Sequence, residues 1–92
     1  MFVNLNSLSW ADVRDMNRKK LAYVLPVSST EQHGRHLPLG TDDLILQTAL
    51  DRLQETEQFR NIYLRLPALH YGNSFEHLDF PGTCLLYTSR CV

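Results

Sequence analysis

The chain has 92 residues, a net charge of -1, 43% apolar residues and 21% charged residues. This composition is that of a globular protein of at most one domain, and it excludes disordered and membrane-spanning proteins. Lysines and arginines are scattered except for Arg18-Lys19-Lys20, so nucleic acid is not expected as a partner. Because no stretch resembles a secretion signal or reaches the length of a bilayer span, we expect a cytoplasmic protein without membrane contacts.

The first predicted helix begins near Trp10. Ser9 is a suitable N-cap, and Asp12 stands three residues later, as in a capping box. Trp10, Val13 and Met16 recur at helical spacing and predict a packed face. Trp10 is therefore expected to be an anchor in the core.

A strand, a helix and a second strand follow. Residues 21–27 form a short apolar run that predicts a strand buried on both faces and ending at Pro26. Residues 43–55 predict a helix, and residues 61–66 alternate as a second strand. This order is typical of a βαβ unit with parallel strands, so the fold class is α/β.

The predicted second helix has two further features. Thr41 or Asp42 is placed to cap its first turn. An apolar face at helical spacing is expected to pack, and it consists of Leu44, Ile45, Thr48, Ala49 and Leu53. After the second strand, residues 70–83 are rich in Gly, Asn, Ser and Pro and predict an ordered loop.

The stretch between the first strand and the second helix carries a candidate metal site. Glu31 and His33 are two residues apart, so they face the same side if the chain is extended there. Glycines and a proline in the loop allow Asp42 to return beside them. Three ligands of mixed nitrogen and oxygen type suit zinc or manganese, in the crevice where α/β sheets bind ligands.

Each candidate also has a simpler interpretation. Glu31, His33 or Asp42 alone is usually a solvated side chain or a helix cap, and the argument rests on their joint spacing. His36 either orients a metal ligand from the second shell or is exposed. His70 is more typical of a core or rim histidine. A hydroxyl, a carboxylate and an imidazole stand close together in residues 74–77. They are predicted to line the rim of a substrate pocket rather than to form a catalytic triad, and they belong to Ser74, Glu76 and His77.

Several of these segments follow one another in a recognisable order. They are Trp10-Ala11-Asp12, Leu25-Pro26-Val27, Glu31-Gln32-His33-Gly34, His36-Leu37-Pro38-Leu39-Gly40-Thr41-Asp42, Tyr71-Gly72-Asn73-Ser74, Glu76-His77 and Phe80-Pro81-Gly82-Thr83. Together they resemble the creatininase family of metal-dependent amidohydrolases over residues 7–83. The resemblance implies the N-terminal part of a three-layer α/β/α sandwich with a mainly parallel sheet.

The resemblance also implies a chemistry. Glu31 would bind one divalent ion, His33 a second, and Asp42 would bridge the two, which would be zinc with manganese or a second zinc. Such a pair activates a water that hydrolyses a carbon–nitrogen bond in a cyclic or linear amide. The substrate could be creatinine, a formamide or a peptide precursor, and the full-length protein would be a homo-oligomer.

The family's remaining metal ligands, a histidine and a glutamate, lie further along a longer chain. Glu76 and His77 do not match those positions. We therefore expect residues 1–83 to be an N-terminal fragment that binds metal weakly and is inactive as this truncated chain.

Residues 84–92 depart from the family pattern. They are the translation of TGT CTC TTA TAC ACA TCT AGA TGT GTA, an inverted repeat built from the transposon end used to tag sequencing libraries, and the next codon would be a stop. We therefore interpret them as a non-native tail and exclude them from the predicted domain. The alternative is that residues 85–88 form a genuine strand.

Two functions follow from these observations. The first is a fragment of a creatininase-like amidohydrolase. The second is a small, non-catalytic α/β binding or interaction module that presents residues 31–42 as a polar surface.

Overall fold

The computed structural model of the chain describes residues 1–56, 59–72, 74–85 and 90–91. Three parallel strands form a sheet in the order β1-β3-β2, and the strands are β1 (Phe2–Asn4), β2 (Leu21–Val24) and β3 (Ile62–Arg65). Two helices accompany the sheet, and they are α1 (Trp10–Arg14) and α2 (Thr41–Thr56). The predicted α/β class and the parallel β2-α2-β3 unit are confirmed.

The centre of the sheet is β3. It pairs with β1 on one side and β2 on the other, and Leu64 in its middle is fully buried. No strand is predicted from the sequence of residues 1–4, and the three-residue strand β1 is stabilised by its pairing with β3.

Helix α2 lies against the sheet through polar as well as apolar contacts. Arg65 at the end of β3 donates hydrogen bonds to Asp51 at 2.7 Å and to the side-chain oxygens of Gln54 and Gln47. Leu50, on the same side of the helix, is 8% exposed. These residues follow one another at spacings of three and four, so they define the packed face of α2.

The prediction that the apolar side of α2 packs against the rest of the protein is wrong. The exposed fraction is 63% for Leu44, 65% for Ile45 and 44% for Leu53. Leu44 and Ile45 border an open groove of about 490 Å³. The contacts of Arg65 turn the other side of the helix to the sheet. The helix also begins at Thr41, so this residue and Asp42 lie within the first turn rather than at the cap.

Helix α1 confirms the predicted start and corrects the predicted packing. Ser9 and Asp12 form the capping box, and the pKa of Asp12 is lowered because the backbone N–H of Ser9 donates to its carboxylate. Trp10 is 75% exposed, with the Arg14 guanidinium 4.9 Å from its ring centre, so it is not a core anchor. The helix has only five residues, and Met16 lies beyond its end.

Strand β2 ends before Pro26, as predicted. It is not buried on both faces, since Tyr23 is 54% exposed. No helix in the described part of the chain has the length and apolar character needed to cross a membrane.

The last described residues form a small antiparallel pair of strands, β4 (Cys84–Leu85) and β5 (Arg90–Cys91). Cys84 and Leu85 are buried, and the backbone N–H of Cys84 donates to the carbonyl of Thr30 at 2.9 Å. Cys84 is also disulfide-bonded. The interpretation of residues 84–92 as a tail stays a prediction, and residues 86–89 and 92 lie outside the described residues.

Candidate metal centre

The candidate site lies beyond the carboxyl ends of β2 and β3. Past these ends the two segments of the chain stay joined by backbone hydrogen bonds. The N–H of Leu66 donates to the Val24 carbonyl at 2.9 Å, and the N–H of Leu69 donates to the Pro26 carbonyl at 2.9 Å. In the other direction, the N–H of Ser28 donates to the Leu69 carbonyl at 2.8 Å. This pairing holds residues 25–30 extended and directs the following residues over the edge of the sheet.

Glu31, His33 and Asp42 come together there. Each offers one ligand atom, and the three atoms lie within 4.8 Å of one another. His33 Nε2 is 3.1 Å from Asp42 Oδ1. The side chains are half-buried, with exposed fractions of 13% for Glu31, 25% for His33 and 36% for Asp42. Extended chain before the loop and the start of α2 after it thus bring the three predicted residues into one cluster.

Ser29 lies between the two carboxylates. Its Oγ is 2.9 Å from Glu31 Oε1 and 2.8 Å from Asp42 Oδ2. The hydroxyl has one proton and can donate to only one of these oxygens at a time. The hydrogen bond from Ser29 is the main cause that lowers the pKa of Asp42, with a contribution from His33. Asp42 is therefore ionised at neutral pH. The single hydrogen bond that Ser29 can donate does not compensate both carboxylates of the site.

A contact of the second ring nitrogen, Nδ1, sets the orientation of the His33 imidazole. Nδ1 lies 3.3 Å from the backbone carbonyl of Glu31, and this contact, together with the Asp42 carboxylate, raises the pKa of His33 against the opposing effect of burial. A carbonyl only accepts, so Nδ1 carries a proton. Nε2 faces the Asp42 carboxylate at 3.1 Å, and a carboxylate only accepts, so in the metal-free site Nε2 also carries a proton and donates to Asp42. A bound cation would take the place of that proton.

These residues fit a divalent cation. Zinc takes imidazole and carboxylate donors at about 2.0–2.2 Å, which places two donors of one ion about 3.0–3.5 Å apart. The 3.1 Å between His33 Nε2 and Asp42 Oδ1 falls in this range. A cation would also neutralise the two carboxylates that Ser29 cannot satisfy together. Next to the cluster, a cavity of about 380 Å³ is lined in part by Ser29, Asp42 and Gly72.

A second group of possible ligands shares Glu31. Its ligand atoms also lie within 4.8 Å of one another, and its other members are Glu76 and His77. His77 Nε2 is 3.4 Å from Glu31 Oε2 and 3.9 Å from Glu76 Oε1. On its other side, His77 Nδ1 is 2.7 Å from the side-chain nitrogen of Gln32. The structure thus brings His77 to the predicted metal ligands, although it lies 44 residues after His33.

The other candidate residues lie apart from the cluster. Ser74 is 3% exposed, and its carbonyl accepts from the backbone N–H of His77 in a 3-10 turn, Phe75–His77. His36 is exposed and lies beside Gly34. Its role in the second shell and the rim roles of Ser74, Glu76 and His77 stay predictions.

A polar network next to the cluster was not predicted. Asp43 Oδ1 accepts from Ser28 at 3.1 Å and from Gln47 at 3.2 Å, and it lies 3.0 Å from His70 Nδ1. Burial works to raise the pKa of Asp43, but the hydrogen bonds from Gln47, Ser28 and His70 outweigh it and the pKa is lowered. The two adjacent aspartates could have indicated that one faces the cluster and the other faces the sheet edge. His70 itself has a half-exposed side chain, as at a rim.

Gly82 supports the loop of the site from behind. Its φ of +92° is one that residues with a side chain rarely adopt, and an added Cβ would meet the side chain of Leu39. The backbone carbonyl of Leu39 in turn accepts from the N–H of Glu31 at 3.3 Å. Gly82 is therefore needed for the close approach of residues 80–83 to the ligand loop.

We predict that Gly82→Ala lowers the free energy of unfolding by about 2 kcal/mol, mostly from backbone strain. The matched control is Gly72→Ala, whose Cβ would find Ser29 at an ordinary 3.6 Å. That variant should keep or slightly raise stability. Urea unfolding followed by circular dichroism measures both, and equal effects of the two substitutions would contradict the assigned role of Gly82.

The chain is similar to known proteins along most of its length. Residues 6–90 match the family model of Creatininase, creatinine amidohydrolase. The chain is 42% identical over 71 residues to proteins named mycofactocin precursor peptide peptidase from Mycobacterium tuberculosis and Mycolicibacterium smegmatis, covering 71% and 72% of this chain and 28% of each relative. The protein of the same name from Mycobacterium ulcerans is 42% identical over 66 residues, which cover 65% of this chain and 26% of that protein. No solved structure matches the chain.

The matched region contains the candidate ligands and strands β2 and β3 of the sheet. The chain spans little more than a quarter of the length of the curated relatives it matches. Because the family model covers nearly the whole chain, this protein belongs to the creatininase family.

Proposed function

We propose that residues 1–83 are the N-terminal part of a metal-dependent amidohydrolase that hydrolyses a carbon–nitrogen bond. In the full-length protein Glu31, His33 and Asp42 would hold two divalent ions, zinc with manganese or a second zinc. The observation that carries this proposal is the convergence of three ligand atoms within 4.8 Å. A cytoplasmic location and a homo-oligomeric assembly of the full-length protein belong to the same proposal.

The residues of this chain hold the site and set its charge. Glu31 and Asp42 supply two carboxylates, His33 supplies a neutral nitrogen, and Ser29 keeps the carboxylates facing each other. The ions, when bound, activate the attacking water and polarise the amide oxygen. In the overall reaction a carbon–oxygen bond forms, the carbon–nitrogen bond breaks, and the leaving nitrogen takes a proton. The adjacent cavity of about 380 Å³ gives the amide access to Asp42.

Among creatinine, a formamide and a peptide precursor, we propose the peptide as the substrate. The support comes from the matched relatives, which are named as peptidases acting on a precursor peptide. The 92-residue chain itself contains three of the five ligands that its family uses, so we propose that it is inactive.

The test compares the 92-residue chain with the complete gene product that begins with residues 1–83. Both are stripped of metal and then supplied with zinc or manganese, and peptide cleavage is followed by mass spectrometry. We expect metal-dependent cleavage by the complete protein only. Absence of both metal uptake and hydrolysis in the complete protein would favour the binding module instead. Sequencing the genomic DNA beyond the codon of Thr83 tests the tail, since a native continuation into residues 84–92 would refute it.

A further inference from the structure

We infer that His77 is a positioning residue for Glu31: it is held as the Nε2-protonated tautomer by Gln32, donates to the Glu31 carboxylate, and is not itself a metal ligand. The inference deepens the proposed function, because it assumes that Glu31 binds metal. It rests on the directions of two hydrogen bonds, Gly34 to Gln32 and Gln32 to His77, and on the 3.4 Å contact between His77 and Glu31.

The first bond fixes the orientation of the Gln32 side chain. The backbone N–H of Gly34 lies 2.9 Å from Gln32 Oε1. A backbone N–H can only donate, so the oxygen of the Gln32 amide must face it. The amide nitrogen then faces the other way, toward His77.

The second bond fixes the tautomer of His77. Gln32 Nε2 lies 2.7 Å from His77 Nδ1. An amide nitrogen only donates, so Nδ1 must accept and carries no proton. In the neutral ring the proton is then on Nε2. This nitrogen lies 3.4 Å from Oε2 of Glu31, whose side chain is only 13% exposed.

The competing interpretation is a separate cation site formed by Glu31, Glu76 and His77. Ligation through His77 Nε2 would move the ring proton to Nδ1, where it would point at the amide hydrogens of Gln32. Turning the Gln32 amide would relieve that contact but would place its hydrogens against the N–H of Gly34. Either way a hydrogen bond between two protein groups is replaced by a contact between two donors, which is unfavourable. Glu76, with 70% of its side chain exposed, adds little to such a site.

The tautomer is tested by nuclear magnetic resonance of the metal-free 92-residue chain with 15N-labelled histidine. His77 is assigned from the signal missing in His77→Gln. The Nε2-protonated tautomer already predominates in free neutral histidine, so we expect its share in His77 to exceed the free value and to fall back toward it in Gln32→Leu. A share equal to that of free histidine, or a dominant Nδ1-protonated form, would overturn the inference. This measurement does not depend on metal binding.

The positioning role is tested by the zinc affinity of the complete gene product that begins with residues 1–83, measured by competition with a chelator. His77→Leu should weaken zinc binding about 10–100-fold, as expected for the loss of a partner that orients a ligand. His77→Gln keeps a donor near the Nε2 position and should retain affinity within a few-fold, and Glu76→Gln should leave it unchanged. A loss in Glu76→Gln equal to that in His77→Leu would instead identify both residues as ligands. Failure of the unaltered complete protein to bind zinc would count against the proposed metal site, while the tautomer result would stand.

Discussion

Replacing Asp42 by Asn is expected to lower amide hydrolysis by the full-length protein by more than about 100-fold. An outer partner of a metal ligand typically contributes 10–100-fold, and the loss of a bridging ligand should exceed that. The carboxylate accepts from Ser29 at 2.8 Å and lies 3.1 Å from His33, so its charge is already directed into the cluster. The neutral amide would keep the shape but lose the charge that holds the ions.

The matched control is Glu55→Gln, a carboxylate on the exposed side of the same helix. It should leave both activity and metal content unchanged. Metal content by atomic emission, together with kcat and KM for peptide cleavage, separates the two variants. If Asp42 only stabilised the N-terminus of α2, Asp42→Asn would cost about 0.3–1 kcal/mol of stability and leave the activity intact. Retained metal and retained activity would therefore contradict the proposed role.

The candidate cluster could be predicted because its geometry is local. Glu31 and His33 are related by the two-residue period of extended chain, and Asp42 follows at the start of a helix that its own sequence indicates. The contacts that hold these residues were not predicted. Ser29 could have been identified by the same two-residue period, but the partner of Gln32 is His77, 45 residues later, and that contact exists only after the chain folds.

Helix positions were predicted better than helix packing. The sequence indicated α2 within about two residues at each end, yet it assigned the packed face to Leu44 and Ile45 rather than to Leu50. Periodicity shows that a helix has an apolar side but not which element it meets. Here the choice is made by Arg65 on β3, whose guanidinium binds side chains of α2. Trp10 illustrates the same limit, because five residues of helix do not bury an indole.

Leu64→Ala in the 92-residue chain is expected to lower the free energy of unfolding by about 2–5 kcal/mol. Leu64 is fully buried in the central strand, so its removal leaves a cavity between neighbours on both sides. Folded domains have total stabilities of about 5–15 kcal/mol, so the variant should lose a large fraction of its stability. The measurement is the urea midpoint at constant slope.

The control for this substitution is Leu44→Ala, which removes the same atoms from a position that is 63% exposed on α2. Alanine and leucine have similar helix propensities, so the stability should change by less than about 0.5 kcal/mol. The pair also tests the corrected orientation of the helix. A large loss from Leu44→Ala with a small loss from Leu64→Ala would mean that the stripe containing Leu44 is the packed face after all. If instead Leu64→Ala causes the large loss and Leu44→Ala the small one, the sheet and the contacts of Arg65 set the orientation of α2. That orientation then fixes the position of Asp42 in the cluster.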